Sequence, residues 1–426
     1  MSLASTNLSH TRVNLIGFSE AGERVDMQAR ERYATATASA AALNEVIDTV
    51  SLIQRATINR MRRIIAPALP SSEPVFDMAD WGVRAAATAA KSVGWAGANV
   101  VAPVLAITAH PESAQLSSSD KGSKWLAGFG AAFGDHLHGS AHTRALAPGM
   151  TIRCQGAVAT VREAASGEVS VTGHACIFVH GLGLTEQHWN GEVIASARTG
   201  GGTPLLLRYT TGLPIAANGE QLAETIRQVA AQWPVPLTRI TIVGHSMGGL
   251  VARRGIEILA QSDPAIAAIM ADLITLGSPH RGSAIEKGAN LALIGLNHSA
   301  ILAPLVALGN RRSAGVKDLR HGAIRPTDWG GRHPDGVISD RTENVPLPTQ
   351  TRHHAVIATV HEDPNHPTSW LVGDGAVRVN SAKAQPGAPA ASTTVLAGTS
   401  HMQLLSHPRV AGLVAAVTAE PVPQPA

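Results

Sequence analysis

Aromatic residues are scarce: Phe, Trp and Tyr together make up 3% of the 426 residues. A core built from this chain must be filled by aliphatic and small side chains, and 41 glycines allow its backbones to approach closely. With two cysteines, Cys154 and Cys176, there is no disulfide framework, so a reducing cytoplasm is the expected compartment. Charged residues are only 15% and nearly balanced, at a formal +3. The basic ones are scattered rather than gathered into a stripe, which speaks against a nucleic-acid partner. The opening residues, MSLASTNLSHTRVNL, lack the charged, apolar and small-residue zones of a secretion signal. No run is long enough for a clear membrane span. The best, residues 92–108, is uncharged but broken by Gly94, Gly97 and Pro103, and falls short of the roughly 20 residues required. The histidines at 136, 138 and 142 have no Cys or acidic companions at ligand spacing, so they read as solvated and no metal is expected.

The length exceeds one typical domain, which suggests a domain of about 250 to 300 residues plus an extension. Residues 1–148 carry helical signals only. Between Asn44 and Ile65, Val46, Ile47, Val50, Ile53, Ile58, Met61 and Ile65 recur at spacings of three and four, the pattern of one helix face. Residues 81–109 and 124–137 are rich in Gly and Ala, which suits tightly packed helices or a surface that meets lipid, giving peripheral membrane contact. The Ser-rich stretch 112–124 reads as a loop, and Ala147-Pro148-Gly149 as a domain boundary.

Beyond that boundary β-branched runs alternate with helical ones. Strands are predicted at 175–179, 204–209, 239–243, 273–276, 355–360 and 393–396, and helices at 218–233, 249–259 and 408–417. Alternation of this kind predicts an α/β domain over 149–420, with a mostly parallel, doubly wound sheet. The interval from Leu276 to His354 is too long for a plain connection and predicts a lid or cap at about 281–350, apolar over 291–308 and polar and Pro/Gly-rich over 311–348. Residues 421–426 read as a disordered tail.

The strongest chemical signal is Ile240-Thr241-Ile242-Val243-Gly244-His245-Ser246-Met247-Gly248-Gly249: a strand, a G-x-S-x-G turn and a helix start. A serine in such a turn sits in strained backbone at the carboxyl end of a sheet. Gly244 and Gly248 are needed because a side chain two positions away would strike a neighbouring element. Ser246 is therefore the expected nucleophile of an α/β-hydrolase fold. Ile177-Phe178-Val179-His180-Gly181-Leu182-Gly183, also a strand entering a glycine turn, fits an oxyanion-hole loop. The backbone N–H groups of Leu182 and Met247 are the expected donors, and His180 the expected orienter of the loop.

Acid and base should follow in that order, each after a late strand. Asp374, in Gly373-Asp374-Gly375, is the expected acid, with Asp363 as competitor. His401, in Ser400-His401-Met402 after the last strand, is the expected base, with His407 as the fallback. No cofactor is required by such a set.

Taken with Leu207-Arg208-Tyr209 and Thr275-Leu276-Gly277-Ser278-Pro279-His280-Arg281-Gly282, these motifs make residues 175–417 resemble the bacterial lipase-like α/β hydrolases grouped with the GPI inositol-deacylase-like (PGAP1-like) family. The resemblance implies lipase or esterase activity on a carboxylic ester, with Ser246, Asp374 and His401 in the family's catalytic positions. The expected substrate is an acyl ester, lipid-like if 291–308 forms an apolar cover. An acyltransferase using the same acyl-enzyme, and a catalytically silent scaffold, are the alternatives.

Overall fold

The architecture is taken from a computed structural model, which describes residues 73–96, 117, 119–139, 144–154, 156–166, 170–282, 313–329, 346–383 and 390–420, with isolated residues before 73. The helix face expected at 44–65 lies outside these apart from isolated positions, and so do the apolar cap segment 291–308 and the tail 421–426.

The elements in chain order are α1 (Glu73–Ala96), α2 (Asp120–Gly139), β1 (Thr151–Cys154), β2 (Ala157–Ala159), α3 (Val161–Ser166), β3 (His174–Val179), α4 (Gly191–Thr199), β4 (Thr203–Arg208), α5 (Ile215–Gln232) and β5 (Arg239–His245). They continue as α6 (Met247–Ser262), α7 (Pro264–Ala268), β6 (Met270–Leu276), α8 (Ala314–His321), β7 (Arg352–Thr359), α9 (Pro367–Val372), α10 (Val379–Ala382), β8 (Ala390–Ala397) and α11 (Pro408–Ala419). The eight strands form one sheet in the order β2-β1-β4-β3-β5-β6-β7-β8. All pairs from β4 to β8 are parallel, while β1 is antiparallel to both β2 and β4.

Strand periodicity divides the core. In β3, Ala175, Ile177 and Val179 face a cluster with Leu222, Ile226 and Val229 of α5 and Leu250 and Val251 of α6. The alternate residues Cys176 and Phe178 face a second cluster with Val193 of α4 and Val410, Val414 and Val417 of α11. Both faces of the central strands are thus covered, which is why they read as continuous apolar runs rather than alternating ones.

Two expectations need correction. The short antiparallel edge β1–β2 is absent from the sequence-based reading, because Thr151–Cys154 is only four residues long and Ala157–Ala159 is largely exposed, too short and too mixed to show a period. The stretch expected as a loop to residue 124 is already helical from Asp120, where Lys124 pairs with Asp120 across one turn. Cys154 and Cys176 are free thiols, on strands separated by β4. In the interval between β6 and β7, α8 is fastened to the sheet domain by Asp318, which accepts the Ile215 N–H at 2.8 Å at the start of α5. Burial raises the Asp318 carboxyl to about 6. Among the described residues no helix is long and apolar enough to cross a membrane.

At the amino ends of the strands, buried Asp272 accepts from Arg239 at 2.6 Å, Arg352 at 2.7 Å and His354 at 3.2 Å. Burial alone would raise its carboxyl, but these hydrogen bonds from His354, Arg352 and Arg239 win and hold it below the ordinary range. Arg239 also donates to the Val417 carbonyl at the end of α11 at 2.8 Å, tying the last helix to the sheet. Asp272→Asn leaves Arg239 and Arg352 without their counter-charge, so the denaturation midpoint should fall by an amount equivalent to about 3–5 kcal/mol; urea titration followed by circular dichroism measures this.

Candidate active site

The chain reverses at Ser246 between β5 and α6 with φ 53° and ψ −121°, and among the described residues it is the sole non-glycine at positive φ. Such backbone costs on the order of 1–3 kcal/mol and persists only where its surroundings over-determine it. Here the Ser246 N–H donates to Leu276 O at 2.8 Å, and its carbonyl accepts from Gly249 N at 3.1 Å. The glycines make the approach possible. A Cβ on Gly244 would stand 2.6 Å from Gly249 N, and one on Gly248 would run into the carbonyl oxygens of Val179 and His180.

Sheet topology brings the second loop to this point. β3 and β5 are neighbours whose connections leave in opposite directions, to β4 on one side and to β6 on the other, and the turns after them emerge side by side at the carboxyl end of the sheet. A Cβ on Gly181 would come within 3.0 Å of Ser246 Cβ and 2.8 Å of His245 Nδ1, so the loop rests directly on the elbow.

The loop's peptide planes are set by its neighbours. Tyr209 N–H donates to His180 Nε2 at 3.3 Å, so that nitrogen is an acceptor; the ring proton therefore sits on Nδ1 and is donated to Gly181 O at 3.0 Å. Tyr209 Oη–H donates to His180 O at 2.7 Å, and the two rings stack at 4.4 Å. Burial pushes the His180 imidazole down to about 3, so the neutral tautomer this relay needs is kept. In a planar trans peptide the C=O and the following N–H point in opposite directions, so engaging Gly181 O fixes the direction of Leu182 N–H. Gly183 N–H donates to Thr211 Oγ1 at 3.1 Å, and Arg208 forks onto Glu186 just beyond the loop, with Nε–Oε2 at 2.6 Å.

Asp374 and His401 meet in the turns beyond α9 and β8. Gly373 and Gly375 have φ of 62° and 97°, letting the chain fold back around the carboxylate. Asp374 Oδ1 accepts Ala376 N at 2.9 Å and Val377 N at 2.8 Å, while Oδ2 lies 2.7 Å from His401 Nδ1. The His401 N–H also donates to Asp374 O at 3.0 Å. This leaves His401 Nε2 buried with no hydrogen-bond partner, so Ser246 Oγ is not bonded to it in this structure. A neutral imidazole whose Nδ1 proton is held by a carboxylate presents a lone pair on Nε2, the arrangement of a general base. Asp363 lies on the surface with Oδ1 bound to Asn365 N at 2.9 Å, and the His407 side chain caps α11 through Arg409 N at 3.1 Å.

Sequence reasoning gave no role to Gly277. At φ 58° it follows β6 directly, and a Cβ there would stand 2.8 Å from Asp374 Oδ2 and 3.1 Å from His401 Nδ1. The signal was a glycine immediately after a buried strand in Leu276-Gly277-Ser278, whose purpose shows only when three loops are superposed in space. His138, expected in solvent, is half-buried with Nδ1 3.0 Å from Ala147 O. Among the described residues no group of three or more His, Cys, Asp or Glu side chains could hold a metal ion. A cavity of about 40 Å³ lies between α2 and the loop, against Leu126, Gly130, Leu184 and Tyr209. Gly248→Ala should push the 180–183 loop away from the elbow and cost about 10²-fold or more in any turnover that draws on that loop's backbone N–H groups; steady-state rates at matched folded fraction test this.

The sequence pattern of the alpha/beta hydrolase family matches residues 176–412. Over 124 residues the chain is 30% identical to a triacylglycerol lipase of Pseudarthrobacter phenanthrenivorans and to one of Burkholderia plantarii, a stretch covering 27% of this chain and 35% and 32% of theirs. The chain thus spans about a third of the length of the curated relatives it matches. The mature form of Bacillus licheniformis lipase BlEst2 aligns with a TM-score of 0.37 at 20% identity, over 56% of this chain and 91% of that one. The family match runs from β3 into α11, more than half of the chain, and the chain belongs to the alpha/beta hydrolase family.

Proposed function

We propose that this protein is a serine ester hydrolase acting through Ser246, His401 and Asp374. The observation that carries the reading is the 2.7 Å Asp374–His401 contact with the base's other nitrogen left unpaired, beside a serine held in strained backbone. Ser246 Oγ attacks the ester carbonyl carbon while His401 Nε2 takes its proton, and the carbonyl oxygen becomes an oxyanion received by Leu182 N–H and Met247 N–H. His401 returns the proton to the departing alcohol oxygen as the C–O bond breaks. Water, deprotonated by the same nitrogen, then cleaves the acyl-enzyme, and Ser246 recovers its proton. Asp374 holds the imidazole in one tautomer and stabilises its cationic form.

Lipid-like acyl esters are the proposed substrates. Support comes from the apolar composition of 291–308, the lipases among the relatives, and the motifs that resemble the PGAP1-like lipases. His180 serves this chemistry as the orienter of Leu182, through the relay from Tyr209.

A series of p-nitrophenyl esters from acetate to palmitate tests the substrate class: the rate should rise with chain length, and a fall would point to a small-ester enzyme. Ser246→Ala should reduce turnover by about 10⁴- to 10⁶-fold and abolish labelling by a fluorophosphonate, with folding intact. Asp374→Asn should cost about 10⁴-fold by favouring the wrong tautomer. Asp363→Asn should leave the rate near wild type; the reverse order of severity would reassign the acid. Absence of labelling in the wild-type protein would favour a silent scaffold, and ester synthesis outrunning hydrolysis when an alcohol is added would favour an acyltransferase.

A further inference from the structure

His245 precedes the serine by one residue and is completely buried. Its Nε2 lies 3.1 Å from the carbonyl oxygen of His401, which can only accept; Nε2 therefore carries the ring proton and Nδ1 has none. That Nδ1 is buried without a hydrogen-bond partner, next to Gly181, whose added Cβ would come within 2.8 Å of it. The His245 and His401 rings are 4.7 Å apart, and the Trp189 ring meets His245 edge-on at 6.4 Å. One side chain thus touches the oxyanion loop and the backbone of His401 while being joined by a single peptide bond to Ser246.

We propose that His245 is a positioning residue that sets the distance between base and nucleophile, an inference that rests on the reading of Ser246 and His401 given above. Asp374 cannot perform this task alone. It orients the imidazole, but it shares the turns beyond β7 and β8 with His401, and both could shift together relative to β5 without breaking the 2.7 Å contact. The His245 Nε2–H bond is a direct tie from the base's backbone to the nucleophile's strand, and residues 245 and 246 are covalent neighbours. A leucine here would avoid the desolvation cost of the unpaired buried Nδ1 but would lose the Nε2 contact to His401. Burial holds the His245 imidazole well below its ordinary value, so the Nε2–H tautomer is not disturbed by protonation near neutrality.

The test compares His245→Phe, which keeps a ring but loses the donor, with His245→Gln, whose amide can reach the same carbonyl, using p-nitrophenyl butyrate and a fluorophosphonate. The Phe variant should lose about 10- to 100-fold in kcat and in labelling rate, the scale of a displacement of roughly 1 Å, with KM changed less than about twofold. The midpoint of its pH–rate profile should not move, since the Asp374–His401 pair is intact, and Gln should recover kcat to within about fivefold of wild type. The proposal is overturned if the Phe variant keeps more than about half of kcat, if Gln is as impaired as Phe with both unfolding at the wild-type temperature, or if the loss lies in KM alone. Nitrogen-15 NMR of the wild-type protein supplies a readout independent of any variant: a His245 proton on Nδ1 rather than Nε2 would also overturn it. Ser246→Ala is measured in parallel. Activity surviving in that variant would sink the nucleophile reading and the positioning role with it, whereas an inactive Ser246→Ala beside a fully active His245→Phe would sink the positioning role only.

Discussion

Ser246 is held in left-handed backbone that a residue with a Cβ normally avoids, and the surrounding architecture is shaped by the need to keep it there. The strained turn exists because β5 and α6 must meet almost without a loop. That meeting is possible only if Gly244 lies flat against Gly249 and Gly248 against the carbonyls of Val179 and His180. Close approach by Gly248 also presses the end of β3 against the start of α6. The contact that lets the elbow close thus also fixes the spacing between the elbow and the loop at 180–183.

A second theme is the use of histidine as a neutral hydrogen-bonding part. His180 and His245 are both completely buried, and burial keeps both uncharged. A neutral imidazole has one donor and one acceptor in fixed directions, so each ring orients a backbone group: His180 the peptide before Leu182, His245 the carbonyl of His401. His401 differs in having a carboxylate on Nδ1, at 2.7 Å, so its ring is held by a side chain rather than by a backbone carbonyl. Three histidines within one small volume differ in what they are bonded to: the Gly181 carbonyl, the His401 carbonyl and the Asp374 carboxylate.

The helical N-terminal part is also in contact with this region. Ser123 of α2 donates to Gln187 at 2.7 Å, Asp135 accepts from Ala314 N at 3.0 Å, and Ser313 donates to Ala131 O at 2.6 Å. A Cβ on Gly134 would lie 2.6 Å from Thr210 Cγ2, so α2 packs closely against the segment after β4. One helix therefore bears on both the segment after the 180–183 loop and the start of α8. Its composition gave no hint of this, because a Gly- and Ala-rich face is equally suited to lipid or to any closely packed neighbour.

The six parallel strands were legible because burial on both faces turns them into short β-branched runs, and the elbow because strand, glycine-flanked serine and helix follow one another without interruption. The edge strands β1 and β2 were not, being too short for a period to emerge. Local sequence thus determined where the chain must be strand, where it must turn sharply, and that Asp374 and His401 stand beyond late strands. Only tertiary structure decided that these two side chains meet at 2.7 Å, that Gly277 must have no Cβ to let them, and that His245 turns its proton toward His401. Periodicity and steric limits act over a few residues and leave their mark in the sequence, whereas a hydrogen bond between residues 245 and 401 depends on sheet order, which local spacing does not encode.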